Sequence, residues 1–270
     1  IFSRVGAKLG YHVFGKREYH SNIKGEHSYF VVRLSDKKIN SNVNGANFMV
    51  AFDAETMIRH ALEISKDGAI IYDSSIVNTT IDEIPTLEVG YRAQLSEFFS
   101  SRNMEPNVLS VLDLVKQNGV KVYPISFRDT LANIADELKS PELSRMVRMF
   151  NVLGVSFSLG ALKAPIEPLL EAIEDIFSKK PSISDLNKNA ATFSYNYASA
   201  KFSDFNNSIS EIGKKTDTMM VQGHQGSALG KMVCGCRFQS YYPITPASDE
   251  SEFLESNEIL NVKEDRPGST

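Results

Sequence analysis

Phe48-Met49-Val50-Ala51-Phe52-Asp53 is a run of apolar residues closed by an aspartate. A strand with one wet face alternates apolar and polar side chains, whereas a continuous run suits a strand covered on both faces, as in parallel sheets. Working outward, residues 54–65 read as a helix and Lys66-Asp67-Gly68 as a turn. Ala69-Ile70-Ile71-Tyr72-Asp73 is a second buried strand, and Val120-Lys121-Val122-Tyr123-Pro124-Ile125 a further one. Buried strands alternating with helices predict an α/β fold on a mostly parallel sheet, with helices on both faces. Asp53 and Asp73 at the strand ends either cap a helix or hold a ribose, and capping is the default for an aspartate so placed.

Helices are expected over 88–99, 108–117, 127–138, 166–177 and 185–200. Residues 145–161, mostly apolar with small residues spaced along them, suit a buried helix with close neighbours. Towards the amino terminus, residues 1–10 read as an amphipathic helix stopped by Gly10, residues 11–15 as a short strand, and 28–35 as a strand rich in β-branched and aromatic residues. The polar loop 16–27 between those strands carries His20, Lys24, Glu26 and His27. Lys24 beside Gly25 offers a flexible point charge for a carboxylate or phosphate, or a solvated surface charge. His20 and His27 lack the spacing of histidines that bind a metal from one helix face.

Residues 201–217, rich in Ser, Asn, Asp and Lys, are the candidate linker. Beyond them, 219–232 read as a strand, a glycine turn and a helix, although Gly223-His224-Gln225-Gly226 lacks phosphate-loop spacing. Cys234 and Cys236 form a C-x-C pair, half of a tetrahedral zinc site and half of what an iron–sulfur cluster needs, so structural thiols are the favoured reading. Gly235-Cys236-Arg237-Phe238-Gln239-Ser240-Tyr241 reads as a short strand leading into Tyr242-Pro243-Ile244-Thr245-Pro246. Two prolines three positions apart stiffen that loop and hold the Thr245 hydroxyl in a fixed direction, with a helix start behind it. The loop is either an anion grip or an ordinary connection between strand and helix.

The net charge of −4 over 270 residues, with 23 % charged, offers no field for nucleic acid or an acidic membrane surface. No apolar run reaches the ~20 residues of a membrane span, and no signal peptide opens the chain. These features point to a soluble, cytoplasmic protein without nucleic-acid or membrane partners. Both ends read as cut, which marks the chain as a piece of a longer polypeptide.

The combination of Tyr242-Pro243-Ile244-Thr245-Pro246 with Gly235-Cys236-Arg237-Phe238 resembles the signature of 2-oxoacid:ferredoxin oxidoreductase alpha subunits. Residues 10–30, which include Ser21-Asn22-Ile23-Lys24-Gly25-Glu26-His27, look like the gamma domain that archaeal two-subunit members carry fused ahead of the alpha domain. The resemblance implies a gamma domain over 1–200, a linker over 201–218, and from 219 to 270 the start of an α/β thiamine-diphosphate-binding (pyrimidine-like) domain. It implies coenzyme A-dependent oxidative decarboxylation of a 2-oxoacid, such as pyruvate or 2-oxoglutarate, with reduction of ferredoxin. Thiamine diphosphate, Mg2+ and [4Fe-4S] clusters would be held mainly by a partner beta subunit. Thr245 would meet the 2-oxoacid, and Lys24 the substrate or coenzyme A. Gly223-His224-Gln225-Gly226 departs from the family's usual sequence at that turn. The alternative is a non-catalytic nucleotide-binding regulatory module.

Overall fold

A computed structural model describes residues 1–19, 27–139, 149–213 and 218–257. The chain divides into two compact units, Ile1–Lys215 and Thr216–Thr270. In the first, β3 (Ala46–Ala51), β4 (Ile64–Asp73) and β5 (Lys121–Ile125) form a parallel sheet in the order β3-β4-β5. The expectation of buried parallel strands is met for a visible reason. Along β4, Ile70 and Tyr72 join one apolar cluster while Ala69 and Ile71 join another, so successive side chains feed opposite faces and both are dry.

One face is covered by α2 (Ala54–His60), α3 (Val89–Ser100) and α4 (Val108–Gln117), through Met57, Ile58, Phe99, Val111 and Leu112. The opposite face is covered by α5 (Phe127–Glu137), α6 (Phe150–Ala161) and α8 (Pro181–Lys201), through Leu131, Leu153, Phe157 and Ala190. Helix α6 is apolar all round because it has two apolar neighbours. Leu153 and Phe157 face the sheet cluster, whereas Val152 and Leu159 join Val5 and Leu9 of the α1 (Phe2–Lys8) region and Leu169 and Ile173 of α7 (Glu167–Phe177). Gly160 lets α6 and α8 approach: a Cβ there would lie 2.4 Å from the Tyr195 carbonyl oxygen. The other sheet is the antiparallel pair β1 (His12–Tyr19) and β2 (Ser28–Ser35).

Several expected boundaries move. Strand β1 runs to Tyr19 rather than stopping at 15, because pairing with β2 satisfies the backbone of Lys16, Arg17 and Glu18 whatever their side chains. Helix α2 ends at His60, and β4 begins at Ile64, pairing with β3 at Ala46 and again from Ala69. The expected turn exists, but as an irregularity inside the strand, with Asp67 at φ 65° and Gly68 so close to Asn47 that a Cβ would sit 2.7 Å from its carbonyl oxygen.

Of the stretch expected as a linker, residues 202–213 are built into the first unit. Phe202 and Phe205 are buried against the sheet cluster. The Ile209 N–H donates to Leu162 O (2.8 Å) and the Ile212 N–H to Leu9 O (2.9 Å). Asp204 accepts from the Tyr123 hydroxyl at 2.8 Å and pairs with Lys121 at 2.8 Å. Polar composition concealed two anchoring phenylalanines.

The second unit contributes α9 (Gly223–Val233) and α10 (Ala247–Glu255) and has no strand among its described residues. The strands expected at its start and ahead of Tyr242 therefore do not form, since a strand needs a neighbour for its N–H and C=O groups. The expected glycine turn at 223–226 is instead the first turn of α9, where Gln225 Oε1 accepts the Gln222 N–H at 2.9 Å.

Candidate functional site

The Tyr242–Pro246 loop runs directly into α10, with Pro246 at its N-cap and a cis Thr245–Pro246 peptide. Tyr242 (78 % exposed), Pro243, Ile244 (55 %), Thr245 and Pro246 all face solvent. The Ile244 N–H donates to Tyr242 O at 2.7 Å and the Ser248 N–H to Ile244 O at 3.1 Å, which folds the loop back onto the helix start. With the Ser248 N–H so engaged, and Asp249 and Glu250 in the first turn, the loop offers a hydroxyl rather than a cradle of free backbone N–H groups.

A polar lattice holds the loop's base. Lys231 of α9 pairs with Glu250 of α10 at 2.5 Å and donates to Gln239 Oε1 at 2.8 Å, Ser227 donates to Glu250 at 3.0 Å, and Gln239 Nε2 donates to Ser251 Oγ at 2.6 Å. The Lys231 ammonium, with Ser227 beside it, holds the Glu250 carboxyl below the usual glutamate range, so Glu250 stays ionised and the two helices stay clasped at neutral pH. Cys234, at the end of α9, and Cys236 are both free and exposed, off any strand, so neither is a buried structural thiol. Two exposed thiols do not fit an iron–sulfur cluster, and no three His, Cys, Asp or Glu residues converge for a metal ion among the described residues.

Lys24 and His20 lie outside the described residues. His27 is placed, 6 % exposed, immediately before β2. Its Nε2 lies 2.9 Å from Nε2 of His60 at the end of α2, with the Tyr29 ring 4.4 Å from that of His60. Close by, Glu55 and Arg59 pair at 2.8 Å, Arg59 reaches Glu88 at 2.6 Å, and the Thr86 hydroxyl donates to Glu55. Of this cluster the sequence marked only His27; the i, i+4 pair Glu55 and Arg59 was a second local signal, and His60 and Tyr29 gave none. Burial lowers the pKa of His27 below the ordinary histidine value, with His60 and Arg59 adding to the shift and Glu55 and Asp53 opposing it. Asp53 and Asp73 serve as caps: Asp53 accepts the Thr56 N–H (2.7 Å) and hydroxyl, and Asp73 the Ser75 N–H (2.9 Å) and hydroxyl. No helix among the described residues is long and apolar enough to cross a membrane.

A parallel sheet covered on both faces by helices places the chain's first unit among α/β folds. The chain's fold is that of 2-oxoglutarate:ferredoxin oxidoreductase from Magnetococcus marinus, a structure solved with 2-oxoglutarate, coenzyme A and succinyl-CoA bound: the TM-score is 0.61 at 22 % identity, over 94 % of this chain and 37 % of that one. The chain belongs to the pyruvate ferredoxin/flavodoxin oxidoreductase family, whose model matches residues 1–197. It is 34 % identical over 264 residues to 2-oxoacid:ferredoxin oxidoreductase 1, subunit alpha, of Sulfurisphaera tokodaii, covering 98 % of this chain and 41 % of that protein. To the 2-oxoacid:ferredoxin oxidoreductase subunit alpha of Saccharolobus solfataricus it is 32 % identical over 269 residues, covering 99 % and 41 %. The chain thus spans about two fifths of the length of the curated relatives it matches. The likeness to these relatives runs through both units, beyond the residues that the family model matches.

Proposed function

We propose that this chain forms part of the alpha subunit of a 2-oxoacid:ferredoxin oxidoreductase, which oxidatively decarboxylates a 2-oxoacid onto coenzyme A and passes the electrons to ferredoxin. The observation that carries the reading is the pair of named alpha-subunit relatives aligned along at least 98 % of the chain. Residues 1–200 act as the gamma-type domain and 219–270 as the start of the alpha domain. Residues 201–218 connect them, their 202–213 portion fastened to the first unit. Thiamine diphosphate, Mg2+ and [4Fe-4S] clusters, held mainly by a beta subunit, would supply the decarboxylation and electron-transfer chemistry. The complex works in the cytoplasm.

This chain's own contribution is to bind and orient. Thr245, exposed on a loop braced by two prolines and by the α9–α10 lattice, donates its hydroxyl to the carboxylate or carbonyl of the 2-oxoacid. Tyr242, Pro243, Ile244 and Pro246 set its direction. Lys24 supplies a cation to the 2-oxoacid or coenzyme A. Fixing one substrate oxygen restricts the reacting carbon to productive approaches, which is how positioning lowers a barrier.

Thr245→Ala in the full-length protein, assembled in its complex, tests the assignment. A hydrogen bond to a charged group contributes ~1.5–3 kcal/mol, so kcat/KM falls roughly 10- to 150-fold. Thr245→Ser, which keeps the hydroxyl, retains most of the activity. Unchanged steady-state kinetics in the alanine variant would remove Thr245 from the site.

A further inference from the structure

Cys234 closes α9 and Gly235 turns the chain back, in the bonding pattern of a Schellman cap. The Gly235 N–H donates to Met232 O at 3.1 Å and the Cys236 N–H to Lys231 O at 3.0 Å. Gly235 stands at φ 74°, where glycine is at ease, and a Cβ there would meet nothing within 4 Å. The two cysteines that flank it are free and exposed.

A residue at left-handed helical dihedrals spaces its two neighbours as a residue of an α-helix does, with their Cα atoms ~5.4 Å apart. A disulfide spans Cα separations of roughly 4.4–6.8 Å. The turn therefore sets Cys234 and Cys236 well inside the reach of one S–S bond, whereas an extended C-x-C would hold them ~6.6–6.8 Å apart, at its limit. At rest the Cys236 thiol donates to Phe238 O at 3.3 Å, a weak bond that the sulfur leaves readily.

We propose that Cys234-Gly235-Cys236 is a redox-active dithiol, which closes to an intrachain disulfide by exchange with a low-molecular-weight disulfide and reopens with a dithiol reductant. One cysteine, as its thiolate, attacks a sulfur of the small disulfide. That S–S bond breaks, a mixed disulfide forms, and the first small thiolate leaves and takes up the proton the cysteine gave up. The second cysteine thiolate then attacks the cysteine sulfur of the mixed disulfide, forming the Cys234–Cys236 bond and releasing the second small thiolate, which is protonated in turn. Two electrons pass from the protein to the small disulfide. Exposed disulfides are the labile, exchangeable kind, so in a reducing compartment the pair rests as thiols and closes under oxidative load. Closure ties the start of the stretch 236–241 to the end of α9, parts that Lys231 Nζ and Gln239 Oε1 already join at 2.8 Å. This chemistry is independent of the role proposed for Thr245, which the Thr245→Ala kinetics test separately.

The test uses the full-length protein in its assembled complex, reduced, kept anaerobic, and then equilibrated with mixtures of oxidised and reduced glutathione. Alkylation traps the remaining thiols, and mass spectrometry reads the tryptic peptide 232–237, which carries both cysteines. In the wild type that peptide loses two hydrogens as oxidised glutathione rises, carries no glutathione, and regains the hydrogens with dithiothreitol. Cys234→Ser and Cys236→Ser each stop at the mixed disulfide with glutathione, since no second thiol is present to expel it. Gly235→Ala, strained at positive φ, lowers the equilibrium constant for closure roughly 5- to 30-fold.

Two glutathiones on one peptide, a disulfide to another chain, or thiols that stay unmodified in the native complex at every ratio and react only after denaturation would each overturn the dithiol. An unchanged equilibrium in Gly235→Ala overturns the part of the left-handed turn in closing it.

Discussion

The two units are held together by different physics. In the first, Phe127, Phe157, Ile70, Ile71, Leu131 and their neighbours are almost completely buried on two faces of one sheet, so apolar area removed from water carries the stability. In the second, Ala228 and Ser251 are the only buried residues among those described, and α9 and α10 are joined by the Lys231, Glu250, Gln239, Ser227 and Ser251 lattice. Met219, Val233, Phe238, Tyr242 and Ile244 stay exposed. Ion pairs in water contribute little. A loop can thus be pointed by polar bonds without a core beneath it, at the cost of local stability.

The largest test of this contrast is Phe157→Ala. Phe157 is 1 % exposed and packs edge-on against Phe127, so its truncation lowers unfolding free energy by about 3–5 kcal/mol, read as a shifted denaturant midpoint. Phe238→Ala, at a position 83 % exposed, leaves that midpoint in place, and a comparable shift there would mean that the second unit also rests on buried apolar area. Gly160→Ala comes next. Its methyl would meet the Tyr195 carbonyl, so α6 and α8 must part, lowering stability by about 1–3 kcal/mol; thermal melting followed by circular dichroism reads it.

The smallest effect is expected at the Lys231–Glu250 pair of the second unit. Glu250 carries a lowered pKa, so its contribution is present above the unfolded glutamate value and is lost as pH falls through the folded one. In a carboxyl-carbon NMR titration, Lys231→Met moves the Glu250 midpoint upward towards that of a free glutamate. An unmoved midpoint would mean that the lattice does not hold α9 to α10.

Much of the fold was readable because burial leaves a local imprint. Residues 48–53 and 69–73 announce strands dry on both faces, and Asn118-Gly119 ends α4 with Gly119 at φ 84°, where glycine is at ease. Of the candidate site, a proline-flanked loop leading into a helix start was readable at Tyr242 to Pro246. The strand expected before it was not realised, since extended sequence without a partner strand has nothing to bond. Segment 202–213 misled for the opposite reason: a polar composition averaged over two phenylalanines that packing singled out.

The sequence by itself determined which residues shun water, with what period, where the chain must turn, and the order of the two signature regions. Only the tertiary structure decided that His27 meets His60, that Asp204 closes on Tyr123, and that Gly160 sits against Tyr195. Periodicity is a property of neighbours along the chain, and it states which face is buried but not against what. A hydrogen bond between residues 33 or 81 positions apart exists only once packing has removed the freedom of both.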